Sequence, residues 1–365
     1  MLKSEFKNRD FLFDNLKGFL IISVLLMHIL EYKNEGVFLY MRSAVYIFHM
    51  PLFIMISGRF SKNLVNSKGK IKSVFQNCLV PYLIFNTAYM TLIHDFGIKQ
   101  IFTPKFIYWY FFCLFVWRLV LPIFVKINKY FLLFGSVVLS VAAGFVPWLD
   151  RFLSLQRLLA FLPFFLIGFY IDNNEIQKIR ILKKPACIAA LIATACVSAY
   201  LYSNIFTCKS LENIQCYAAS EMSNLKGALA RIISIALAVI ISACLINIFP
   251  NNKSMLSVIG QRTALIYPAS GFLQLLAFKL LNFLNIFDKI CGSYWLLLLF
   301  ALAFTAFSIL LCSEKHIYRL FTAVMNGINR FLFLPFEKMQ KKCKAKKQNK
   351  NKTKISKTDK KQDIN

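Results

Sequence analysis

The first long apolar segment of the chain, residues 13–32, reads FDNLKGFLIISVLLMHILEY. About 20 mainly apolar residues are enough for a helix to cross the hydrocarbon core of a bilayer. Four ionisable residues interrupt the segment: Asp14, Lys17, His28 and Glu31. Their spacing places them along one stripe of a helix, with Lys17 and His28 about 16 Å apart in depth. Because charges are costly inside a membrane, we interpret the stripe as functional and expect the other, apolar faces to contact lipid.

The composition of the whole chain agrees with this first segment. Of the 365 residues, 58% are hydrophobic and 16% are charged, whereas about a quarter of a soluble domain is charged. A soluble protein of this size cannot bury so much apolar surface behind so little polar cover. The net charge of +28 comes from basic residues in short loops and in one tail, so we expect no nucleic acid partner. The sequence therefore predicts an integral membrane protein.

Ten apolar segments have the length and continuity of membrane-spanning helices. They are residues 13–32, 43–60, 74–94, 106–125, 131–148, 152–171, 185–203, 228–249, 263–284 and 293–312. Backbone groups find no water in lipid, so each segment must be helical or belong to a closed barrel, and these runs are too long for barrel strands. The predicted fold is an all-α polytopic membrane protein with about ten transmembrane helices.

Lysine and arginine are concentrated in alternate loops, which indicates the orientation of the spans. With an even number of spans, this bias places the N- and C-termini in the cytoplasm and the chain in the plasma (inner) membrane. We expect a membrane domain over residues 1–320 and a lysine-rich, disordered cytoplasmic tail over residues 337–365. Attraction of this tail to anionic membrane lipids is its simplest role.

Several ionisable residues fall in the predicted outer half of the membrane. His28 in the first span and His49 at the start of the second lie at similar depths, so they can meet there. His94 ends the third span and Arg157 follows the start of the sixth on the same side. The alternative interpretation of His28 is that it is buried for packing and has no functional role.

The predicted cytoplasmic half contains Lys17, Arg59, Arg118 and Tyr267. A basic opening on this side can hold the phosphate groups of a phosphorylated donor. Two simpler interpretations stay open: Asp14 and Lys17 pair at the membrane interface, and the loop cations only fix the topology. Arg118 differs from the loop cations because it lies within an apolar span and needs a partner.

Several short segments resemble landmarks of a known family in their order and spacing. Lys17 followed by His28 is similar to the Arg/Lys-x10-His signature of the membrane acyltransferase 3 family. The other similar segments are 48–58 (FHMPLFIMISG), 79–82 (LVPY), 109–111 (WYF), 161–168 (FLPFFLIG) and 259–263 (IGQRT). Residues 48–58 resemble the fucose 4-O-acetylase-like branch, and the likeness covers about residues 9–312 apart from the middle loop. Ser270 is a departure, because the family often has a histidine there.

The resemblance implies acyl transfer from a cytoplasmic acyl-CoA, usually acetyl-CoA, to a hydroxyl of an envelope glycan, without a metal. A sugar hydroxyl is a poor nucleophile, and a positioned imidazole can remove its proton. His28 is the candidate base with Glu31 as the group that orients it; alternatively, His28 itself carries the acyl group. His49 or Lys17 is expected to stabilise the oxyanion of the tetrahedral intermediate.

The predicted binding residues come from both halves of the membrane. They are Lys17, Arg59 and Arg118 for the CoA phosphates, and Asp14, His94, Arg157 and Tyr267 for the substrate. A transporter or flippase of a glycan or lipid intermediate is the alternative function, but its expected internal repeats are not found in the sequence. A glycan polymerase would favour a long outer loop rich in arginine and histidine, whereas the basic residues of residues 204–227 are two lysines.

Overall fold

The protein is helical throughout the part of the chain that the structure, a computed structural model, describes. This part comprises residues 10–33, 35–64, 70–149, 151–204 and 207–334, and it contains no β-strand. The helices are α1 (Phe11–Leu30), α2 (Gly36–Tyr46), α3 (His49–Arg59), α4 (Lys70–Val74), α5 (Val80–Ile93), α6 (Ile98–Ile101), α7 (Trp109–Phe124), α8 (Lys129–Ala143), α9 (Leu155–Ala160), α10 (Leu162–Tyr170), α11 (Asn173–Ile181), α12 (Lys184–Asn204), α13 (Cys208–Glu212), α14 (Asn224–Ile248), α15 (Met255–Gln261), α16 (Thr263–Phe283), α17 (Phe287–Gly292) and α18 (Tyr294–Ser313). A further helix, α19, covers residues 315–334. The predicted all-α class is confirmed.

Within the described ranges, six helical segments are long and apolar enough to cross a membrane. They are Phe11–Leu30, Gly36–Leu64, Lys184–Tyr202, Asn224–Ile248, Thr263–Phe283 and Tyr294–Ser313. A bent pair, Phe152–Ala160 with Leu162–Tyr170, adds a seventh when it is counted as one span. The chain is therefore an integral membrane protein, as its composition predicts.

Prolines explain why two of the ten predicted segments are not straight helices. Residues 152–171 bend by 53° between α9 and α10, and Pro163 occupies the first turn of the second helix. A proline fits this first turn because its missing N–H has no partner there. Residues 74–94 pass through a π-helical turn, Phe75–Leu79, immediately before α5, where Pro81 lies in the first turn.

Two other predicted segments contain shorter helices. In residues 106–125, α7 has 16 residues and begins at Trp109, because Phe106 adopts a left-handed φ of 45° that a helix does not allow. In residues 131–148, α8 has 15 residues and ends before Gly144. These two helices are about 22–24 Å long at 1.5 Å per residue, which is less than the hydrocarbon thickness of about 30 Å.

Helix α1 lies in the middle of the bundle. It packs against α2, α3, α14, α15, α16 and α18. Leu16, Leu20 and Ile21 have no exposed surface. The expectation that the apolar faces of this segment contact lipid is therefore wrong, because neighbouring helices cover them.

Glycines allow two pairs of helices to approach closely. Gly18 of α1 packs against the carbonyl group of Leu256 in α15, and Gly260 of α15 packs against the carbonyl group of Asp14. Gly58 of α3 faces the backbone of α10 in the same way. A Cβ atom at any of these positions would overlap the facing backbone, so small residues bring the helix axes together. These contacts fix α1 and α3 in the centre of the bundle.

The chain divides into two compact units, residues 1–314 and residues 315–365. The first unit contains α1 to α18, and the second contains α19. The predicted tail, residues 337–365, lies outside the described residues, so the predicted boundary of the membrane domain near residue 320 stays a prediction.

Candidate active site

A cavity of about 280 Å³ opens beside the C-terminal end of α1, which we call the His28 end. Its walls come from the end of α1, the junction of α2 and α3, the segments 103–109 and 151–161, the segment 211–214, and α16. Four predicted site residues from separate parts of the chain line it together with His28: Glu31, His49, Arg157 and Tyr267. The volume is close to the lower end of the range for small-molecule sites, about 300–1,000 Å³.

His28 is part of a hydrogen-bonded group with Glu31 and Tyr46. The Nδ1 atom of His28 lies 3.3 Å from Oε2 of Glu31. The hydroxyl of Tyr46 donates to the same Oε2 at 2.8 Å and lies 3.5 Å from Nδ1. Since an ionised carboxylate only accepts, Nδ1 carries the proton of the neutral ring. The Nε2 atom of His28 then keeps its lone pair, as a general base requires.

The position of His28 is also fixed by its neighbours. The side-chain amide of Gln274 in α16 donates to the backbone carbonyl of His28 at 2.9 Å. The ring of Phe106 packs against the imidazole with a centroid distance of 4.8 Å. Phe106 is held at the unusual φ of 45°, which is rare for a bulky residue and is frequent at functional sites.

His49, at the start of α3, lines the same cavity with a different hydrogen-bond pattern. Its Nδ1 donates to the carbonyl oxygen of Val45 at 2.9 Å, because a carbonyl oxygen can only accept. The side chain is 4% exposed. In the neutral ring, Nε2 is therefore an acceptor rather than a donor. This geometry fits a residue that accepts a hydrogen bond from a substrate hydroxyl.

Arg157 forms a cationic wall of the cavity with Trp109 and Glu212. Its guanidinium group lies 4.5 Å from the centre of the Trp109 ring, and Nε donates to the backbone carbonyl of Glu212 at 3.1 Å. The Trp109 ring in turn stacks on Phe161 at 5.2 Å. The planar guanidinium is thus held on an aromatic surface, with N–H donors on its remaining edges.

The segment 207–222 covers one side of the cavity and contributes Leu211, Glu212 and Ile214. Tyr217 anchors this segment through bonds of its hydroxyl to the carbonyl of Val141 and of its N–H to the carbonyl of Gly144. Burial raises the pKa of the Glu212 carboxyl, while the charge of Arg157 opposes this rise. Glu212 is a site residue that the sequence analysis missed, because it belongs to the middle loop, outside the segments used for the resemblance.

An ion pair lies at the rim of the cavity. Lys105, which lines the cavity, pairs with Asp95 at 2.5 Å, and the hydrogen bond from Lys105 lowers the pKa of the Asp95 carboxyl. His94 precedes this aspartate as the left-handed C-cap of α5, with φ 55°. It is exposed and does not line the cavity, so the structure does not bring this predicted substrate residue to the others.

Aromatic side chains form the floor of the cavity. The hydroxyl of Tyr267 donates to the carbonyl of Ile107 at 2.7 Å. Its ring is surrounded by Phe53, Tyr110 and Phe111 at centroid distances of 6.2, 5.3 and 5.7 Å. Tyr267 is predicted from the sequence to lie with the cations near Lys17, whereas the structure places it at this cavity. The reason is that the segment before α7 folds inward and brings Ile107 to α16.

The Lys17 end, which we define as the opposite end of α1, contains Asp14, Lys17, Arg59 and Arg118. Lys17 pairs with Asp14 at 2.8 Å, as the simpler interpretation of these two residues predicts. Arg59 lies 4.8 Å from the ring of Phe13 and donates to the backbone carbonyl of Ile171 at 3.2 Å. None of the four cations and acids at this end lines the cavity beside His28.

Arg118 finds neutral partners within the bundle. Its Nε donates to the hydroxyl of Ser61 at 2.9 Å, and Nη1 donates to the sulfur of Cys78 at 3.3 Å. Cys78 belongs to the π-helical turn before α5. The sequence predicts that Arg118 needs a partner in its apolar span. The structure provides two neutral partners, which leave its charge uncompensated.

Tyr46, which lines the cavity, and Arg42 beside it were also missed, because only the fold joins them to His28. Tyr46 lies three residues before His49 and 18 residues after His28, on a helix that turns back beside α1. Arg42, in α2, is buried and lies 5.5 Å from the ring of Tyr46. The spacing of Arg42, Tyr46 and His49 at three and four residues was the available signal.

Comparisons with known proteins agree on one family. The family model described as acyltransferase domain matches residues 11–313. Nodulation protein NolL of Sinorhizobium fredii (strain NBRC 101917 / NGR234) is 28% identical over 228 residues, which are 54% of this chain and 61% of that protein. Nodulation protein NolL of Mesorhizobium japonicum (strain LMG 29417 / CECT 9101 / MAFF 303099) is 28% identical over 185 residues, 44% of this chain and 48% of that protein. The chain thus spans about half to three-fifths of the length of these relatives. No solved structure matches it significantly.

Proposed function

The chain belongs to the acyltransferase 3 family, and from that premise we propose that it is a membrane O-acyltransferase acting on the cell envelope. It moves an acyl group, normally acetyl, from a cytoplasmic acyl-CoA to a hydroxyl of a polysaccharide or glycolipid. The observation that supports this proposal best is the group formed by His28, Glu31 and Tyr46 at the wall of a cavity. The resemblance to the fucose 4-O-acetylase-like branch remains a prediction about the acceptor.

His28 acts as the general base. Its Nε2 takes the proton of the acceptor hydroxyl while that oxygen attacks the thioester carbon. Glu31 holds the ring through Nδ1 and stabilises the imidazolium that forms, and Tyr46 holds the carboxylate. When the tetrahedral intermediate collapses, the carbon–sulfur bond breaks and the imidazolium returns its proton to the CoA thiolate. The products are an ester and free CoA.

We assign the oxyanion to Arg157 and the acceptor hydroxyl to His49. The guanidinium of Arg157 keeps N–H donors free of its bond to Glu212, and cationic donors aimed at a developing oxyanion contribute strongly to catalysis. The acceptor character of the His49 Nε2 suits a group that aligns the attacking hydroxyl. Lys17 is three helical turns from His28, about 16 Å, and is paired with Asp14; we therefore give it no part in the oxyanion site.

The donor binds from the Lys17 end, which we place at the cytoplasmic face. Arg59 and Arg118 hydrogen-bond neutral groups, so their charges remain available to the CoA phosphates. Lys17 contributes less because Asp14 compensates its charge. The thioester arm then reaches the cavity past the aromatic floor around Tyr267. We further propose that the protein lies in the plasma (inner) membrane and crosses it ten times, with both termini in the cytoplasm. Each of the ten predicted segments contains a helix, which supports this count.

The acceptor enters the cavity from the other face. Arg157 and Glu212 offer a donor and an acceptor, and the edge of the Trp109 ring lies beside them. A cavity of about 280 Å³ holds a single sugar unit and the acyl group, not a folded stretch of polymer. The ion pair of Lys105 and Asp95 lies at the rim, where the rest of the glycan passes.

Membranes that contain the protein, incubated with radiolabelled acetyl-CoA, test the function. We expect label in the envelope glycan, and we expect it to disappear in His28→Ala at equal amounts of membrane-inserted protein. Mass spectrometry of the glycan should show the added acyl group. Glycan that is exported to the same extent by both proteins, with no label in either, would favour the transporter alternative and contradict the proposal. Label that stays on the protein in a rapid quench, and is absent from His28→Ala, would identify His28 as an acyl carrier.

A further inference from the structure

The helix that follows the last span, α19, has two chemically different faces. The apolar face has the spacing i, i+3, i+4, i+7, i+11 and i+14. It comprises Ile317, Leu320, Phe321, Val324, Ile328 and Phe331. The polar face comprises Arg319, Thr322, Asn326, Asn329 and Arg330. Up to Arg330 this pattern is that of an amphipathic helix, and the last turn, residues 331–334 (FLFL), is apolar on all sides.

Part of the apolar face is open in the protein itself. Leu320 is 65% exposed, Val324 is 50% exposed and Phe331 is 80% exposed. These three side chains lie within one narrow sector of the helix, since their spacings are four and seven residues. Three large apolar groups in a row on a water-facing surface are unfavourable. Such a row of side chains is more stable against an apolar phase than in water.

The position of α19 in the sequence indicates which phase this is. The last candidate span ends at Ser313, and Glu314 alone separates it from the first residue of α19. The helix therefore starts where the chain leaves the membrane. With 20 residues it is about 30 Å long, but its two arginines and its polar stripe are incompatible with lipid on all sides.

Charge selects the kind of membrane surface. Arg319 and Arg330 lie on the polar face, and twelve lysines follow between residues 338 and 361. Basic polar faces and polybasic segments are attracted to anionic lipid headgroups. We propose that α19 lies in the plane of the membrane surface, with its apolar face among the acyl chains and its arginines among anionic headgroups. The helix and the basic segment then form one anchor with an apolar and an electrostatic part.

Photo-crosslinking of the full-length protein in nanodiscs tests the apolar part. A benzophenone amino acid is placed at Leu320, Val324 or Phe331, and at Thr322 or Asn326 as matched controls on the polar face. We expect lipid adducts several-fold more often from the first three positions than from the two controls. Equal lipid yields from both faces would overturn the proposal. Adducts with this chain or with a second copy, in place of lipid, would also overturn it and would identify a protein contact.

The depth of the helix distinguishes a surface position from a crossing. A fluorescent amino acid at Val324 and, separately, at Phe331 is quenched by lipids that carry a nitroxide near the headgroup. In-plane binding predicts equal quenching at both positions, because both lie at one depth. A crossing helix would place Val324 near the bilayer centre and Phe331 about 10 Å closer to a headgroup layer, so weaker quenching at Val324 than at Phe331 would contradict the proposal.

Hydrogen exchange of residues 315–334 in the full-length protein tests the electrostatic part. We expect slower exchange in nanodiscs of phosphatidylcholine with an equal amount of phosphatidylglycerol than in phosphatidylcholine alone. Replacing both arginines, Arg319→Gln with Arg330→Gln, should reduce this difference, and high salt should reduce it in the unmodified chain. Thr322→Ala with Asn326→Ala is the control without a charge change. Exchange that is independent of lipid charge would overturn the assignment to anionic headgroups.

Discussion

The two ends of α1 contain similar ionisable groups but arrange them differently. At the Lys17 end, the cation is paired with Asp14 at 2.8 Å, and Arg59 and Arg118 bond to groups of neighbouring helices. At the His28 end, the imidazole is held through one nitrogen only, and it lines a cavity with Arg157 and other polar groups. At the Lys17 end one cation is paired and the other two are held by neutral groups, whereas at the His28 end the base keeps one nitrogen free of these bonds.

Under the proposed function, this difference predicts separate tasks for the two ends of one sequence signature. The His28 end has the geometry of a base and its orienting carboxylate. The cations of the Lys17 end do not line the cavity beside the base. They are suited instead to binding a charged donor. Substitutions at the His28 end should therefore reduce the turnover rate, and substitutions at the Lys17 end should mainly change the KM for the donor.

The largest effect is expected at His28 itself. His28→Ala should reduce kcat by about 10²–10⁴-fold, because it removes proton transfer from the transition state. The measurement is the initial rate of acetyl transfer at saturating acetyl-CoA, normalised to inserted protein. His316→Ala, which removes a histidine outside the cavity, is the control and should retain full activity. If His28→Ala kept more than a tenth of the normal kcat, the assignment of His28 as the base would be wrong.

Glu31 should have the next largest effect. Glu31→Gln keeps the shape of the side chain but removes the charge that stabilises the imidazolium, and we expect a loss of about 10²-fold in kcat. Tyr46→Phe removes one hydrogen bond to this carboxylate and should lower kcat by about 10–100-fold, since one such bond contributes roughly 1.5–3 kcal/mol. In a merely structural role, both variants would lower folded protein without moving the pH profile. A positioning role predicts that the acid limb of the kcat profile shifts.

The sequence predicted the class of the fold but not the path of every span. Length and hydropathy found all six segments of the described chain that are both long and apolar enough to cross, because these properties are local. They did not predict the bend at Pro163 or the π-helical turn before Pro81, where local backbone chemistry competes with the apolar pattern. They also misjudged the surroundings of α1, since burial by Gly18 and Gly260 contacts depends on the partner helix.

The site was predictable where the helix period was enough. His28 and Glu31 lie three residues apart on one helix, so their contact follows from the sequence alone. Tyr46 and Glu212 join them through tertiary structure, and Tyr267 came to the cavity because the segment before α7 folds inward. The depth of a residue along a predicted span is thus a weaker guide to its contacts than the spacing of residues within one helix.

At the Lys17 end, Arg118→Gln should raise the KM for acetyl-CoA by about 10-fold with little change in kcat, because one charge-assisted contact to phosphate is lost. The measurement is the dependence of the rate on acetyl-CoA concentration. Lys129→Gln removes the same charge at the start of α8 and should leave this KM unchanged. A fall in kcat with an unchanged KM would break the division of tasks between the two ends.

Lys17→Arg should have a smaller effect and lower kcat/KM for acetyl-CoA by about 3–10-fold. Arginine keeps the charge and the pair with Asp14, but its planar group fits a site built for a compact ammonium less well. The measurement is kcat and KM for acetyl-CoA in the same assay. A complete loss of activity would mean that the amine itself takes part in the chemistry, and the comparison between a chemical end and a binding end would fail.

The smallest effect is expected at Glu212, where it appears in stability. Burial raises the pKa of this carboxyl in the folded protein, so the folded state holds the proton more tightly than the unfolded state. Stability contributed by this group is then present below the unfolded pKa and is lost as the pH rises through the folded pKa. Glu212→Gln should therefore raise the midpoint of thermal unfolding at neutral pH by about 1–2 °C, and the difference should vanish as the pH falls below the unfolded pKa of about 4.3.

Glu221→Gln, in the same loop outside the cavity lining, is the control. A lower midpoint for Glu212→Gln at neutral pH would show that the charge of Arg157 outweighs burial and that this wall of the cavity is held by an ion pair.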